Sequence, residues 1–315
     1  MRRGAVLLMG PTAAGKSELA LRLAAEHPFE IVSVDSALVY RGMDIGTAKP
    51  GREAQRLVRH HLIDIRDAAQ NYSAGDFVLD AAAAMREIWA RGRLPLFVGG
   101  TMFYFSALTA GLAALPEANP AVRAEIDAQA EASGWADVHR DLAVVDPAAA
   151  ARIHNNDPQR IQRALEVYRL TGQPISLLQQ TRVSVLEGVE VLELAVSPHD
   201  RQVLHARIEA RFDGMLAAGF LDEVRALRER IDLRAEHPSM RAVGYRQVWR
   251  HLAGECGMDE ARVEAIAATR QLAKRQMTWL RARRRAKWFD SEHPQAAALL
   301  LDTLSGSRIT EWSSV

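Results

Sequence analysis

Short segments rich in apolar, often β-branched residues alternate along this chain with longer stretches in which apolar side chains return every three or four positions. Residues 5–9, 30–34, 61–65, 94–98 and 189–196 are of the first kind and read as strands. Residues 18–25 and 77–89 have helical spacing; in the second, Phe77, Ala81, Ala84, Met85, Ile88 and Trp89 share one face and Gly92 closes the segment. Strands alternating with helices predict a parallel sheet covered on its faces, an α/β fold. From residue 115 to 186 the strands stop. Asn119-Pro120 with Gly134, then Asp146-Pro147, then Asp157-Pro158 with Gly172-Gln173-Pro174 read as caps, first-turn prolines and stops of successive helices. The pattern therefore predicts a core domain of residues 1–114 and 187–315 interrupted by an all-helical insertion, 115–186. After the returning strand come helices over 200–218, 221–231, 243–252 and 259–287.

Composition narrows this little. At 315 residues with net charge +1, the chain holds one large domain or two modest ones and is no polycation. No apolar run reaches membrane-span length, and Met1-Arg2-Arg3 leads into the first strand without a cleavage pattern, so the expected compartment is the cytoplasm, without a membrane partner. A single cysteine, Cys256, excludes an intrachain disulfide framework and a cysteine-based zinc site. Charge is uneven, however: residues 270–287 carry eight basic side chains and no acidic one. Such a run marks either a polyanionic partner or a solvated helix face.

The chemistry concentrates at Gly10-Pro11-Thr12-Ala13-Ala14-Gly15-Lys16-Ser17, which follows the first strand and opens the first helix. Glycines let backbone N–H groups curl around a phosphate, the helix terminus adds positive potential, Lys16 supplies a charge, and the Ser17 hydroxyl suits a phosphate-bound Mg²⁺. ATP, GTP and other diphosphates satisfy such a loop equally, so the expected fold is a P-loop NTPase-like parallel sheet with the ligand's identity left open. Asp35 ends the second strand, where an α/β sheet forms its ligand crevice; the plainer role for it is a turn cap. Thr101, after the fourth strand, reaches the same edge if the strands are parallel. Residues 41–50 have no period and read as a loop suited to covering a site. On the helix after Asp157, Arg160 and Arg163 share a face, available to a ligand or to a salt bridge with Glu166. Phe103, Tyr104 and Phe105 are core or ligand-lining aromatics, and His60-His61 lacks metal-site spacing.

Taken in order, these segments resemble one family, the tRNA dimethylallyltransferases, also called tRNA isopentenyltransferases. The resemblance rests on the loop from Gly10 to Ser17 and on Asp35-Ser36-Ala37-Leu38-Val39-Tyr40 running into Arg41-Gly42-Met43-Asp44-Ile45-Gly46-Thr47-Ala48-Lys49-Pro50. It extends to Gly99-Gly100-Thr101, Gln159-Arg160-Ile161-Gln162-Arg163-Ala164-Leu165-Glu166, Val243-Gly244-Tyr245-Arg246-Gln247 and Thr269-Arg270-Gln271-Leu272-Ala273-Lys274-Arg275-Gln276. It implies transfer of a dimethylallyl group from dimethylallyl diphosphate to the exocyclic amine of adenosine 37 in the tRNA anticodon stem-loop, with Mg²⁺ on Ser17; nothing in the sequence requires more than a monomer. By the same resemblance Asp35 takes the amine proton, Thr101 holds the adenine or the bridging oxygen, and Lys16 and Ser17 serve the leaving group. Asp35, Ser36, Ala37, Leu38, Thr101, Arg123, Gln159, Arg160, Ile161, Gln162, Arg163, Met240, Arg241, Ala242, Val243, Gly244 and Tyr245 would line the tRNA path, and the basic run would meet phosphates. Three rivals remain at this stage. They are a P-loop small-molecule kinase, which would carry a short arginine-rich lid; an adenylate isopentenyltransferase; and an RNA-binding module whose loop is a nucleotide switch.

Overall fold

The computed structural model describes residues 3–307. Its strands are β1 (Arg3–Met9), β2 (Phe29–Val34), β3 (His60–His61), β4 (Leu94–Gly99), β5 (Val189–Ser197) and β6 (Lys287–Asp290). Among the described residues they form a single sheet of order β3-β2-β4-β1-β5-β6, every neighbouring pair parallel. Contacts divide the chain into two compact units, one running to Ala107 and resuming at Leu186, the other Leu108–Val185.

In the first unit the sheet is flanked by α1 (Lys16–Glu26), α2 (Arg52–Leu57), α3 (Ala74–Ala90) and the start of α4 (Met102–Ala110). Residues 4–9 of β1 and all of β2 are buried on both faces; β1 accordingly reads as an apolar run from Ala5 to Met9, while β2 carries the buried polar Glu30 and Ser33 among its apolar residues. Val6 and Leu8 join Leu19 and Leu23 of α1 in one core cluster. Each buried leucine contributes roughly 1.5–3 kcal/mol. α3 lies against β2 and β4 and opens with a capping box: the Ser73 hydroxyl accepts from Asp76 N at 3.1 Å while the Asp76 carboxylate accepts from Ser73 N at 2.8 Å.

The second unit holds the rest of α4, then α5 (Pro120–Ser133), α6 (Trp135–Val145), α7 (Pro147–Ala150), α8 (Pro158–Thr171) and α9 (Ile175–Leu178). Asn119, Asp146 and Asp157 cap α5, α7 and α8 with their side chains, each followed by proline, and α8 ends at Gly172 with φ 69°. Ile126, Val138, Leu142, Ile161 and Leu165 form its core. Glu166, wholly buried, accepts from Arg123 at 2.8 Å, from Arg163 at 2.5 Å and from Asn119 N at 2.8 Å. Burial alone would raise its pKa, but these donors outweigh that and hold it below the usual carboxylate value. Expected to start at residue 115, the unit starts at Leu108 because its two ends pair with each other. Ser184 Oγ donates to the Leu108 carbonyl at 2.6 Å, and Leu112 bridges Val183.

Chain elements after β5 are α10 (Arg201–Ala217), α11 (Phe220–Arg228), α12 (Tyr245–Leu252), α13 (Met258–Arg281), β6 and α14 (Ala296–Ser305). Here the sequence reading needs correction. The helix expected to reach residue 287 stops at Arg281, because the arginine-rich stretch beyond it offers no apolar stripe; Lys287–Asp290 instead adds an edge strand. α14, absent from the reading, packs Ala296, Leu300 and Leu304 into the core cluster that α1 also covers. β3 has two residues rather than five, and α2 was not foreseen. Among the described residues no helix is long and apolar enough to cross a membrane.

A phosphate loop and two clefts at the carboxyl edge of the sheet

The strand register decides what meets at this edge. Gly99 of β4 pairs with both Met9 of β1 and Val34 of β2, so the three central strands end level. Gly10, Asp35 and Gly100-Thr101, the next residues of each, therefore emerge side by side, and Gly10 N donates to the Gly99 carbonyl at 3.3 Å. A Cβ on Gly10 would collide with the Val196 carbonyl, so only glycine fits there. The loop then turns through left-handed Ala13 (φ 64°) and Gly15 (φ 82°) to start α1, leaving backbone N–H groups pointing outward at a helix N-terminus.

A cleft of about 350 Å³ opens over this loop, closed by Arg207 and Arg211 of α10. Lys16 Nζ donates to the Pro11 carbonyl at 2.7 Å. Desolvation first, and the Arg211 charge second, pull its pKa from 10.5 to about 8, with the Asp35 carboxylate opposing both. Desolvation likewise lowers Arg211, again opposed by Asp35. Arg207 is ion-paired to Glu292. The cleft concentrates positive groups that water does not fully stabilise, a setting that favours an incoming anion.

Beside it lies a second cleft of about 450 Å³. Thr12, Asp35, Thr101 and Arg211 line its polar side and Ile208, Phe212 and Met215 its apolar side, while the half-exposed rings of Phe103 and Trp279 also line it. Arg211 lines both clefts. Asp35 Oδ1 accepts from Ala37 N at 2.8 Å and Leu38 N at 3.4 Å, so the carboxylate does cap its turn. Among the described residues Oδ2 has no hydrogen-bond partner. Thr101 Oγ1 accepts from Ser36 N at 3.2 Å, and Thr101 N donates to the Val34 carbonyl at 3.2 Å, locking the two strand ends together. The loop of residues 41–50 folds around Glu223 of α11, which accepts from Asp44 N (2.8 Å), Ile45 N (2.7 Å), Gly46 N (3.1 Å) and Tyr245 Oη (2.5 Å).

Asp35, Ser36, Ala37 and Thr101 thus meet at the second cleft with Arg241, Ala242, Val243, Gly244 and Tyr245; Leu38 stands behind them, half-buried. Met240 does not join them. Its side chain is 1% exposed, in the core. Ile161 is likewise wholly buried, in the core of the helical unit. In that unit Gln159 and Arg160 are exposed, Gln162 Nε2 donates to Asp127 at 2.6 Å, and Arg123 and Arg163 are bound to Glu166, the salt-bridge alternative. The basic run is corrected too. Arg270 pairs with Glu209 at 3.2 Å, and Arg283 pairs with Glu193 at 3.2 Å and lies 6.0 Å over the Phe105 ring. Lys274, Arg275, Arg281, Arg284, Arg285 and Lys287 remain exposed. His60 and His61 serve structure, His61 binding Glu30 at 2.7 Å.

Sequence reasoning missed Arg207, Arg211 and Glu223. The arginines stand one turn apart on α10, flanked by buried Leu204, Ile208 and Phe212; a basic i, i+4 pair bordering a core stripe is a signal that was there to read. Glu223 carries no local signal, since its partners lie far away in sequence.

Glycine loop, lysine, paired arginines and an adjoining cleft with a carboxylate and a hydroxyl define a P-loop α/β protein built to hold a diphosphate next to a second ligand. The family model described as IPP transferase matches residues 38–283. The chain belongs to this family. It is 58% identical over 284 residues to a tRNA dimethylallyltransferase of Ralstonia pickettii (strain 12J), covering 88% of this chain and 87% of that one. The full-length tRNA isopentenylpyrophosphate transferase of Bacillus halodurans superposes with TM-score 0.71 at 35% identity, covering 99% of this chain and 98% of the other. The corresponding enzyme of Staphylococcus epidermidis gives 0.67 at 31%, covering 96% and 97%. The same fold, TM-score 0.80 at 23% identity over 98% and 80% of the chains, occurs in a eukaryotic dimethylallyltransferase acting on tRNA.

Proposed function

We infer that this chain transfers the dimethylallyl group of dimethylallyl diphosphate to N6 of adenosine 37 in tRNA, beside the anticodon, and releases diphosphate. The observation that carries the reading is Arg211, which borders both the phosphate loop and the cleft holding Asp35 and Thr101. One cleft takes the leaving group and the other the acceptor, with the scissile bond between them.

In the transfer the N6 lone pair forms the bond to C1 of the prenyl group, the C1–O bond breaks with its electrons passing to the diphosphate, and N6 gives up a proton. Loop N–H groups, Lys16, Arg207 and Arg211 stabilise the charge growing on the leaving oxygen. Asp35 Oδ2 accepts the proton, and the Thr101 hydroxyl, oriented by Ser36 N, holds the acceptor base. Ile208, Phe212 and Met215 give the prenyl chain an apolar wall that keeps water from the allylic carbon. Mg²⁺ would be held by the exposed Ser17 hydroxyl at the start of α1 together with substrate phosphates and waters, the hard-oxygen donor set that this ion typically takes. When bound, it neutralises diphosphate charge. The exposed basic residues from Lys274 to Lys287 meet RNA phosphates, and the exposed Gln159 and Arg160 are the RNA contacts that the helical unit offers by itself. Acting on tRNA, the protein works in the cytoplasm, and one chain supplies every group invoked.

The Lys16 value makes the first step pH-dependent in a definite direction. Diphosphate selects the ammonium form, so donor affinity stays level below pH 8 and falls as pH rises through about 8, approaching tenfold per unit. Donor affinity measured from pH 6.5 to 9.5 should show this bend, and Lys16→Arg should remove it.

The reading is tested by supplying labelled dimethylallyl diphosphate and Mg²⁺ with either an anticodon stem-loop containing adenosine 37 or free AMP. Label in the stem-loop alone is the expected result. Label in AMP would move the acceptor to a free nucleotide, and ATP hydrolysis without transfer would overturn the reading.

A further inference from the structure

Gln276, half-buried on α13, points its amide between the phosphate loop and the turn after β4. Its Oε1 accepts from Thr12 N at 2.9 Å and its Nε2 donates to the Gly100 carbonyl at 2.9 Å. Thr12 N–H can only donate and the Gly100 carbonyl only accept, so the orientation of the amide is fixed by its partners. Thr12 belongs to the phosphate loop, one residue before the stretch that lines its cleft, and itself borders the acceptor cleft; Gly100 immediately precedes Thr101. The fit at Gly100 is close: a Cβ there would stand 2.5 Å from Gln276 Nε2 and 3.2 Å from the Gly10 carbonyl. Thr269, Leu272, Gln276 and Trp279, spaced as one stripe of α13, all line the acceptor cleft.

We propose that Gln276 is a positioning residue that fixes the distance between the leaving-group cradle and the acceptor side of the site by bridging Thr12 and Gly100. It touches no reacting atom. It acts by holding C1 of the donor in line with N6, so its loss should slow the transfer step far more than it weakens either substrate. This rests on the transferase reading above.

The test compares Gln276→Leu and Gln276→Glu with the native protein in the stem-loop transfer assay, with kcat and both KM values followed from pH 6 to 9. Displacement of a reacting group by about 1 Å costs on the order of 10²-fold in rate. The leucine variant, lacking both polar groups, should lose kcat on that order with each KM within about threefold of native. In the glutamate variant the carboxylate can still accept from Thr12 N–H but sets a second acceptor against the Gly100 carbonyl, which raises its pKa; once protonated it again offers one acceptor and one donor. Its kcat relative to native should therefore be low at pH 8 and recover as pH falls toward 6, whereas the leucine variant's ratio stays flat.

A residue that merely packs would give no such pH-dependent rescue. A glutamate ratio that is flat with pH, a leucine kcat within twofold of native, or an effect confined to one KM would each overturn the proposal. Should the leucine variant fail to fold, the glutamate pH profile decides alone. Native protein run in parallel separates the two levels: no transfer by native protein refutes the transferase reading, while native transfer with unaffected variants refutes only the role of Gln276.

Discussion

Replacing Asp35 with asparagine is expected to lower single-turnover transfer by about 10²- to 10⁴-fold, the range of a lost general base, while dimethylallyl diphosphate binds nearly as before. The asymmetry follows from the division of the site. Asp35 lines the acceptor cleft and not the cleft over the phosphate loop, and in the proposed transfer its Oδ2 takes the N6 proton. Asparagine keeps an oxygen that accepts from Ala37 N and Leu38 N, so the turn survives; alanine removes the turn cap as well and should be the more damaged fold. Asp35 also favours the charged forms of Lys16 and Arg211, so binding is best measured at pH 7, well below the Lys16 value. A large loss of donor affinity there, with turnover of bound substrate intact, would remove Asp35 from the role of base.

Glu223→Ala should be the most destabilising single change in the acceptor side of the molecule. Three consecutive backbone N–H groups and the Tyr245 hydroxyl lose their acceptor together. Uncompensated donors cost roughly 1–3 kcal/mol each when buried, and part of this nest is wet, so a net loss of about 3–5 kcal/mol is expected. For a chain of this size that lowers Tm by about 5–8 °C. Function should suffer in a recognisable way, because Gly46, Thr47 and Tyr245 line the acceptor cleft and the Thr47 carbonyl accepts from Arg211 at 3.1 Å. KM for the stem-loop should rise more than KM for the donor. A Tm within 2 °C of native would show that the nest finds other partners.

Much of this site was readable beforehand where its residues are fixed by the chain's own neighbours. Gly10 to Ser17 sit between a strand and a helix that local pattern identifies, and Asp35 and Thr101 follow strands whose parallel arrangement puts them at one edge. Asn119, Asp146 and Asp157 announced their helices because a cap acts on the next three residues. What was hidden depends on distant partners. Glu223 reaches residues some 180 positions away, and nothing in its helix marks it. Arg283 looked like an RNA-facing cation until Glu193 came to meet it, and Ile161 and Met240, read as ligand contacts from the segments they stand in, had their faces decided by packing. Lys287–Asp290 was too short for its period to show.

The neck of the helical unit has a consequence for how this chain tolerates change. Leu108 and Ser184 are joined by a hydrogen bond, and Leu112 bridges Val183 four residues further in, so the unit leaves and rejoins the main chain at what is almost a single point. A segment anchored in this way is a cassette. Helices within it can lengthen, shorten or be exchanged without stretching the chain between β4 and β5, so the helical unit can diverge while both clefts, built wholly from the first unit, stay as they are.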